Sequence, residues 1–127
     1  MDLLYIKGTD DSPEIILDSE KKRFEINGQS LPEDVSAFFK PVIAWLKEYT
    51  RDPLPETRLS IKLTYFNTAS SKILLDIFTL FEEIPESKEK VIINWHYPSY
   101  DEEMKEAGIE YSEMVDLEFR YIAEQTE

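Results

Sequence analysis

The segment that best indicates the architecture of this chain spans residues 58–72 and reads Arg58-Leu59-Ser60-Ile61-Lys62-Leu63-Thr64-Tyr65-Phe66-Asn67-Thr68-Ala69-Ser70-Ser71-Lys72. Apolar and polar side chains alternate over its first nine residues, which predicts a β-strand with one buried face. The residues expected on that face are Leu59, Ile61, Leu63 and Tyr65. After the strand, Asn67 or Thr68 is expected to cap a helix that begins in the serine-rich stretch.

Downstream of this segment the pattern continues as helix and strand. An apolar helical stripe covers residues 73–84, and residues 90–95 are predicted to form a second central strand. A strand–helix–strand unit normally makes a right-handed crossover between parallel strands. Residues 101–112 then predict another helix, ending or bending at Gly108, and residues 116–122 predict a last strand.

Upstream of the central strand the chain alternates between short strands and one long helix. Residues 3–6, 14–18 and 23–27 are predicted strands. The second and third are expected to form an antiparallel hairpin, and Asn27-Gly28 is interpreted as a turn.

Ser30 and Glu33 fit a capping box for the long helix. Its apolar stripe runs from Val35 to Tyr49, and Pro41 within it is expected to kink or divide the helix. The predicted fold class is therefore α/β, a mixed β-sheet packed with helices, in a single domain of residues 1–127.

Composition excludes several classes of function. The chain carries 27 Asp plus Glu against 14 Lys plus Arg, and its net charge of −13 disfavours nucleic-acid and membrane-surface binding. It has no cysteine, one histidine and three glycines, so we expect no thiol chemistry, no metal site and no glycine-rich phosphate loop. The N-terminal residues do not resemble a signal peptide and no apolar run is long enough to span a bilayer, so a cytoplasmic location without cofactors is expected.

One candidate site stands out, at residues 67–72, where the central strand meets the following helix. Ligands and reactions gather at this edge of open α/β sheets. Three hydroxyl groups and an amide there are also explained as ordinary helix capping. A phosphate on Thr68 would meet free backbone N–H groups and the positive end of the helix dipole, with Lys72 one turn away.

Two other interpretations remain open. The same edge is a possible anion or nucleotide pocket of a small-molecule-binding module. Alternatively, Thr68 or Ser70 acts with His96 in a small hydrolase, because both sites follow strands expected to be parallel neighbours. No recognisable set of partners surrounds His96 in the sequence, so a histidine that simply finishes a strand is the simpler interpretation.

Three segments together resemble the SiaC family of bacterial regulatory phosphoproteins. The first runs from Leu63 to Lys72 and continues through Asp76-Ile77-Phe78 and Leu80-Phe81-Glu82-Glu83. The second combines Leu31-Pro32-Glu33-Asp34 with residues 39–46. The third is Trp95-His96-Tyr97 followed by Asp101-Glu102 and Glu106-Ala107-Gly108. The resemblance covers residues 12–119.

The resemblance implies a fold similar to STAS domains, the anti-sigma-factor antagonists. It also implies a non-enzymatic signalling protein in which Thr68 is the phosphoacceptor. The residues expected to shape the site or contact partners are Asn67, Ala69, Ser70, Ser71, Lys72 and Asp76. The implied partners are a protein kinase, a metal-dependent Ser/Thr phosphatase and an output enzyme. By resemblance that output is a diguanylate cyclase, engaged by the unphosphorylated form and linked to cyclic di-GMP and biofilm control.

Overall fold

The computed structural model describes residues 2–125 and contains one six-stranded mixed sheet with helices on one side. The elements follow the chain as β1 (Leu4–Ile6), β2 (Glu14–Asp18), β3 (Arg23–Ser30), α1 (Val35–Tyr49), β4 (Thr57–Phe66), α2 (Thr68–Glu82), α3 (Ser87–Lys90), β5 (Val91–Pro98), α4 (Glu102–Met114) and β6 (Glu118–Glu124). This confirms the predicted α/β class.

Strand order in the sheet equals the order along the chain. The pairs β1–β2 and β2–β3 are antiparallel, so the predicted hairpin is confirmed. The pairs β3–β4, β4–β5 and β5–β6 are parallel. Because each crossover advances in the same direction and crossovers are right-handed, α1, α2 and α4 lie on the same face of the sheet.

The hydrophobic core fills the space between that face and the helices. Alternate strand residues are almost fully buried there, among them Phe24, Ile61, Ile93 and Trp95. The opposite face of the sheet carries no helix, and we call it the open face. It bears polar and charged side chains along with a few apolar ones, as expected for a sheet with one solvated surface.

The predicted turn at Asn27-Gly28 is wrong, because β3 continues through it to Ser30. Gly28 adopts a φ of 109°, a conformation that an L side chain rarely takes. The β3–β4 pairing shifts by one residue at this point, so the glycine accommodates an irregularity inside the sheet instead of a reversal. Ser30 is consequently the last residue of a strand.

The predicted capping box at Ser30 and Glu33 is also wrong. The N-cap of α1 is Asp34, whose side chain accepts a hydrogen bond from the N–H of Ala37 at 3.1 Å. Pro41 is exposed and does not divide α1, which continues to Tyr49.

The expected end or bend of α4 at Gly108 is wrong, because this helix extends to Met114. Gly108 instead allows close packing, since a Cβ there would lie 2.5 Å from Cδ1 of Trp95. Across residues 2–125, no helix combines the length and apolarity needed to cross a bilayer.

Candidate functional site

The N-terminus of α2 is the element that presents the candidate threonine. Asn67 is the N-cap, with an extended backbone, and its side chain accepts a hydrogen bond from the N–H of Ser70 at 2.8 Å. Thr68 is the first residue of the helix and is exposed to solvent. The sequence prediction that Thr68 lies accessible at a helix N-terminus is confirmed.

Ser70 holds this turn against the end of β3. Its hydroxyl donates to the carbonyl oxygen of Ser30 at 2.9 Å and accepts from the Ser30 hydroxyl at 2.8 Å. Both serines are fully buried. The N–H of Asn67 also donates to the Ser30 carbonyl, at 3.0 Å. Ser70 is therefore a structural anchor whose hydroxyl faces away from solvent.

Tyr111 of α4 supplies a second anchor. Its hydroxyl donates to the carbonyl oxygen of Ser71 at 2.8 Å. Its ring packs against Trp95 and Phe78, with ring centroids 5.6 and 5.1 Å away. Burial raises the pKa of Tyr111 well above its usual range, so this phenol remains a hydrogen-bond donor. The first turn of α2 is thus fixed from two sides.

A β-bulge next to the site changes which aromatic side chain faces solvent. Leu63 pairs with Gly28 and Tyr65 pairs with Gln29, so Thr64 is the extra residue in β4. The bulge reverses the alternation at the end of the strand. Tyr65, expected on the buried face, is 53% exposed, while Phe66 packs against the core.

The remaining predicted site residues surround this turn. Ala69 and Lys72 are exposed, and so is Asp76 two turns along the helix from Thr68. Ser71 is half-buried, and its hydroxyl donates to the Thr68 carbonyl at 2.6 Å. Helical spacing places Thr68, Lys72 and Asp76 on one face of α2. The structure therefore groups an exposed threonine with one cation and one carboxylate on that face.

His96 lies on the other side of the sheet from this group. Trp95 points into the helix layer, where its indole N–H donates to the Met104 carbonyl, so His96 points to the open face. Its Nδ1 is 2.6 Å from Oε1 of Glu124, and Nζ of Lys62 is 3.3 Å from the same oxygen. The hydrolase alternative needs His96 beside Thr68 or Ser70, and this placement contradicts it.

Three residues have roles that were not predicted from the sequence: Ser30 and Tyr111, which hold the site, and Glu124, the partner of His96 on the open face. Ser30 and Glu124 have no local signal, because their partners lie 40 and 28 residues away in the chain. Tyr111 does have a local sequence signal, since Met104, Gly108 and Tyr111 recur at the spacing of a buried helical stripe. In the part of the chain that the structure describes, no cluster of three or more His, Cys, Asp or Glu residues is placed to hold a metal ion.

The fold and the site define a small α/β regulatory domain, in which one exposed threonine sits on a firmly anchored helix N-terminus. A sequence model of the SiaC family of regulatory phosphoproteins matches residues 6–124. The chain therefore belongs to the SiaC family, and the resemblance predicted from the sequence is confirmed.

Known relatives agree with this assignment. An uncharacterized protein of Pseudomonas aeruginosa strain UCBPP-PA14 is 34% identical over 110 residues, which is 87% of each chain. The crystal structure of apo-SiaC from Pseudomonas aeruginosa superposes with a TM-score of 0.87 at 32% identity, covering 97% of this chain and 100% of that one. The crystal structure of the diguanylate cyclase SiaD with its activator SiaC gives the same TM-score and identity, with coverages of 95% and 99%.

Proposed function

We propose that this protein is a switch controlled by reversible phosphorylation of Thr68. The observation that carries the proposal is the contrast within one helical turn. Thr68 is exposed, and no hydrogen bond within residues 2–125 occupies its hydroxyl, whereas the Ser70 hydroxyl is buried and bonded to Ser30. A kinase approaching from solvent reaches the first hydroxyl and not the second.

A phosphate on Thr68 suits its surroundings electrostatically. The first N–H groups of a helix have no partner within the helix, and the helix dipole favours negative charge at this end. Lys72 lies one turn away on the same face. The modification adds a charge of about −1.5 to −2, which changes the surface that a partner meets while leaving the buried anchors intact.

The proposed partners follow from family membership. The relative SiaC is described as the activator of the diguanylate cyclase SiaD. We propose that the unphosphorylated form of this chain likewise binds and regulates a diguanylate cyclase, and thereby cyclic di-GMP signalling and biofilm formation. A protein kinase would add the phosphate and a metal-dependent phosphatase would remove it. The proposal places the switch in the cytoplasm together with these enzymes.

The proposal assigns the chain a binding role and no catalysis of its own. His96, which the hydrolase interpretation needed as a base, bonds to Glu124 on the open face. The Ser70 hydroxyl is already engaged by Ser30. These contacts leave Thr68 without a neighbouring base among the residues that the sequence singled out.

The test begins with intact mass and peptide mapping of the protein purified from its own host, with and without phosphatase treatment. We expect a single removable phosphate on Thr68. Thr68→Ala should abolish it, whereas Thr79→Ala, an exposed threonine of the same helix, should retain it. A host diguanylate cyclase should be retained by Thr68→Ala and released by Thr68→Asp. An unmodified Thr68 under all growth conditions would refute the switch.

A further inference from the structure

The last strand of the sheet, β6, pairs on one side only within residues 2–125. It lies at one edge of the sheet, next to β5. The carbonyl oxygen of Glu124 accepts a hydrogen bond from the N–H of Ser99, which follows β5, so the backbone of Glu124 faces β5. Backbone N–H and C=O groups alternate between the two sides of a strand. Those that point outward therefore belong to Phe119, Tyr121 and Ala123.

The strand lacks the features that usually protect an edge. Proteins shorten such strands, bend them with bulges, or place proline and lysine in them. The strand at the opposite edge, β1, has only 3 residues. By contrast β6 has 7 residues, contains neither proline nor lysine, and pairs with β5 in unbroken register. Ile122, which is beside His96 on the open face, is 36% exposed. The long edge is thus the one available to a further strand.

The sequence of β6 is complementary to itself when two copies run antiparallel about a two-fold axis at Ile122. Arg120 of each copy then lies opposite Glu124 of the other copy, on the open face. The two Ile122 side chains lie opposite each other between these charge pairs. On the helix side, each Tyr121 lies opposite the small Ala123 of the other copy. Opposite charges and apolar side chains placed directly across two strands stabilise a sheet.

Other registers of the same two strands are less favourable. An axis one residue earlier places Glu118 opposite Glu124 in both halves, and an axis two residues earlier places Arg120 opposite itself. Like charges directly across two strands are destabilising. An axis three residues earlier pairs Glu118 with Arg120, but it overlaps only residues 118–120 of each strand. The charges of β6 therefore select the axis at Ile122.

The structure already holds these charged side chains in place. Nε of Arg120 is 2.7 Å from Oε2 of Glu118 on its own strand. Oε1 of Glu124 is bonded by His96 and Lys62. A guanidinium has five N–H donors and a carboxylate has two acceptor oxygens, so both groups retain capacity for a bond across the axis. Because the side chains are already ordered, pairing costs less conformational entropy.

We infer that two copies of this chain pair through antiparallel β6 strands about an axis at Ile122, which joins their sheets into one. The axis is perpendicular to the sheet, so both helix layers lie on the same side. The carboxyl ends of the two β4 strands point in opposite directions, and each copy keeps its Thr68 exposed. The pairing goes beyond the proposed switch and does not depend on a phosphate.

The dimer is expected to be weak. A single strand pair buries less surface than a standard interface of about 1,600 Å². Each chain also carries a net charge of −13, which opposes association. The Debye length is about 8 Å at 0.15 M salt, so this repulsion is largely screened there. We therefore expect a dissociation constant in the micromolar range at this salt concentration.

A cysteine cross-link tests the register, because the chain has no cysteine of its own. In the dimer, Ile122 faces its copy in a non-hydrogen-bonded pair with Cα atoms about 4.5 Å apart, which suits a disulfide. Ile122→Cys should give a covalent dimer on a non-reducing gel after mild oxidation. The matched control is Glu118→Cys, exposed on the same face of the same strand. Its two copies lie roughly 27 Å apart along the paired strands, so it should stay monomeric.

Equal cross-linking of the two variants would overturn the register. Absence of a cross-link in Ile122→Cys, together with a monomeric unchanged chain by sedimentation velocity at all protein concentrations, would refute self-pairing. That result would leave the edge to a strand of a different protein.

A charge exchange tests the pairing without a cross-link. Arg120→Glu places glutamates opposite one another, and Glu124→Arg places arginines opposite one another, so each variant alone should dimerise about tenfold more weakly or worse. An equimolar mixture should restore the dimer, because every cross-strand pair then combines opposite charges. Loss of the Glu124 contact with His96 affects that variant equally alone and in the mixture. A mixture that stays monomeric, or unchanged dimerisation of Arg120→Glu, would refute the inference.

Discussion

The two long crossover helices begin in similar ways but are held very differently. Each has a side-chain cap, Asp34 for α1 and Asn67 for α2. The first turn of α2 is held in addition by the buried Ser30–Ser70 hydrogen bonds and by Tyr111. Among the described residues, the hydrogen bonds to the first turn of α1 come only from its own cap. A residue at the start of α2 is thus presented at a fixed position.

This difference bears on how a switch works. On a loose turn, the conformational entropy lost in ordering the chain offsets part of the interaction energy of a phosphate. A phosphate on the anchored turn of α2 meets N–H groups and a partner surface that are already in place. Substitutions in the two helices test this difference, because they should change stability and amide exchange by different amounts.

The largest effect is expected from Gly108→Ala. The new Cβ would lie 2.5 Å from Trp95, so α4 must move away from the sheet and carry Tyr111 with it. Overpacking of this kind destabilises a core by about 1–3 kcal/mol, and we expect the upper part of that range. Urea unfolding measures the loss, and amide exchange should show the first turn of α2 loosening. An unchanged unfolding midpoint would contradict the close packing of α4.

Ser70→Ala is expected to have the next largest effect. It leaves the buried Ser30 hydroxyl without an acceptor, which costs about 1–3 kcal/mol, while the Ser30 carbonyl keeps its hydrogen bond from the N–H of Asn67. The matched substitution in α1 is Ser36→Ala, an exposed residue of the first turn, and it should change stability by less than about 0.5 kcal/mol. Equal costs at the two positions would mean that the hydroxyl pair does not anchor α2.

Loss of either cap is expected to cost about 1 kcal/mol. The two helices should nevertheless respond differently in amide exchange. Asp34→Ala should expose the first turn of α1, where no other side chain of the described residues supplies a hydrogen bond, whereas Asn67→Ala should leave the first turn of α2 protected by Ser70 and Tyr111. Equal loss of protection in both helices would mean that Ser70 and Tyr111 do not hold the first turn of α2 more firmly than a cap alone.

Much of this architecture was predictable from the sequence because it depends on local patterns. Alternation from Leu59 to Leu63, the helical stripe of α2 and the Asn67 cap each occupy a few consecutive residues. The exposure of Thr68 also followed, since the start of a helix after a central strand lies at the edge of the sheet.

The features that escaped prediction depend on residues distant in sequence. Ser30 matched a capping box locally, but its partner is Ser70, 40 residues away. The sequence predicts a helix end or bend at Gly108, but the glycine makes room for Trp95, and this contact depends on how α4 packs against β5. Tyr65 was expected inside, since a bulge at Thr64 depends on pairing with β3 and leaves no mark in the pattern of β4.

The smallest effect concerns pH and the open face of the sheet. Hydrogen bonds from His96 and then Lys62 lower the pKa of Glu124 below its ordinary value of 4.5. A carboxyl whose pKa is lowered by folding stabilises the folded state above its unfolded pKa. That contribution is lost as the pH falls through the lower, folded value. The anchors of α2 are hydroxyl and carbonyl groups, so acidification in this range should leave them unchanged.

Glu124→Gln isolates this contribution. The urea midpoint of the unchanged chain should exceed that of the variant by a small amount above about pH 5, and the difference should vanish as the pH falls through the lowered pKa of Glu124 in the folded state. Amide exchange at the first turn of α2 should be the same in both proteins throughout. A difference that grows as the pH falls below about 5 would have the wrong sign for a carboxylate held by His96 and Lys62. Altered exchange at α2 would mean that the two faces of the sheet are coupled.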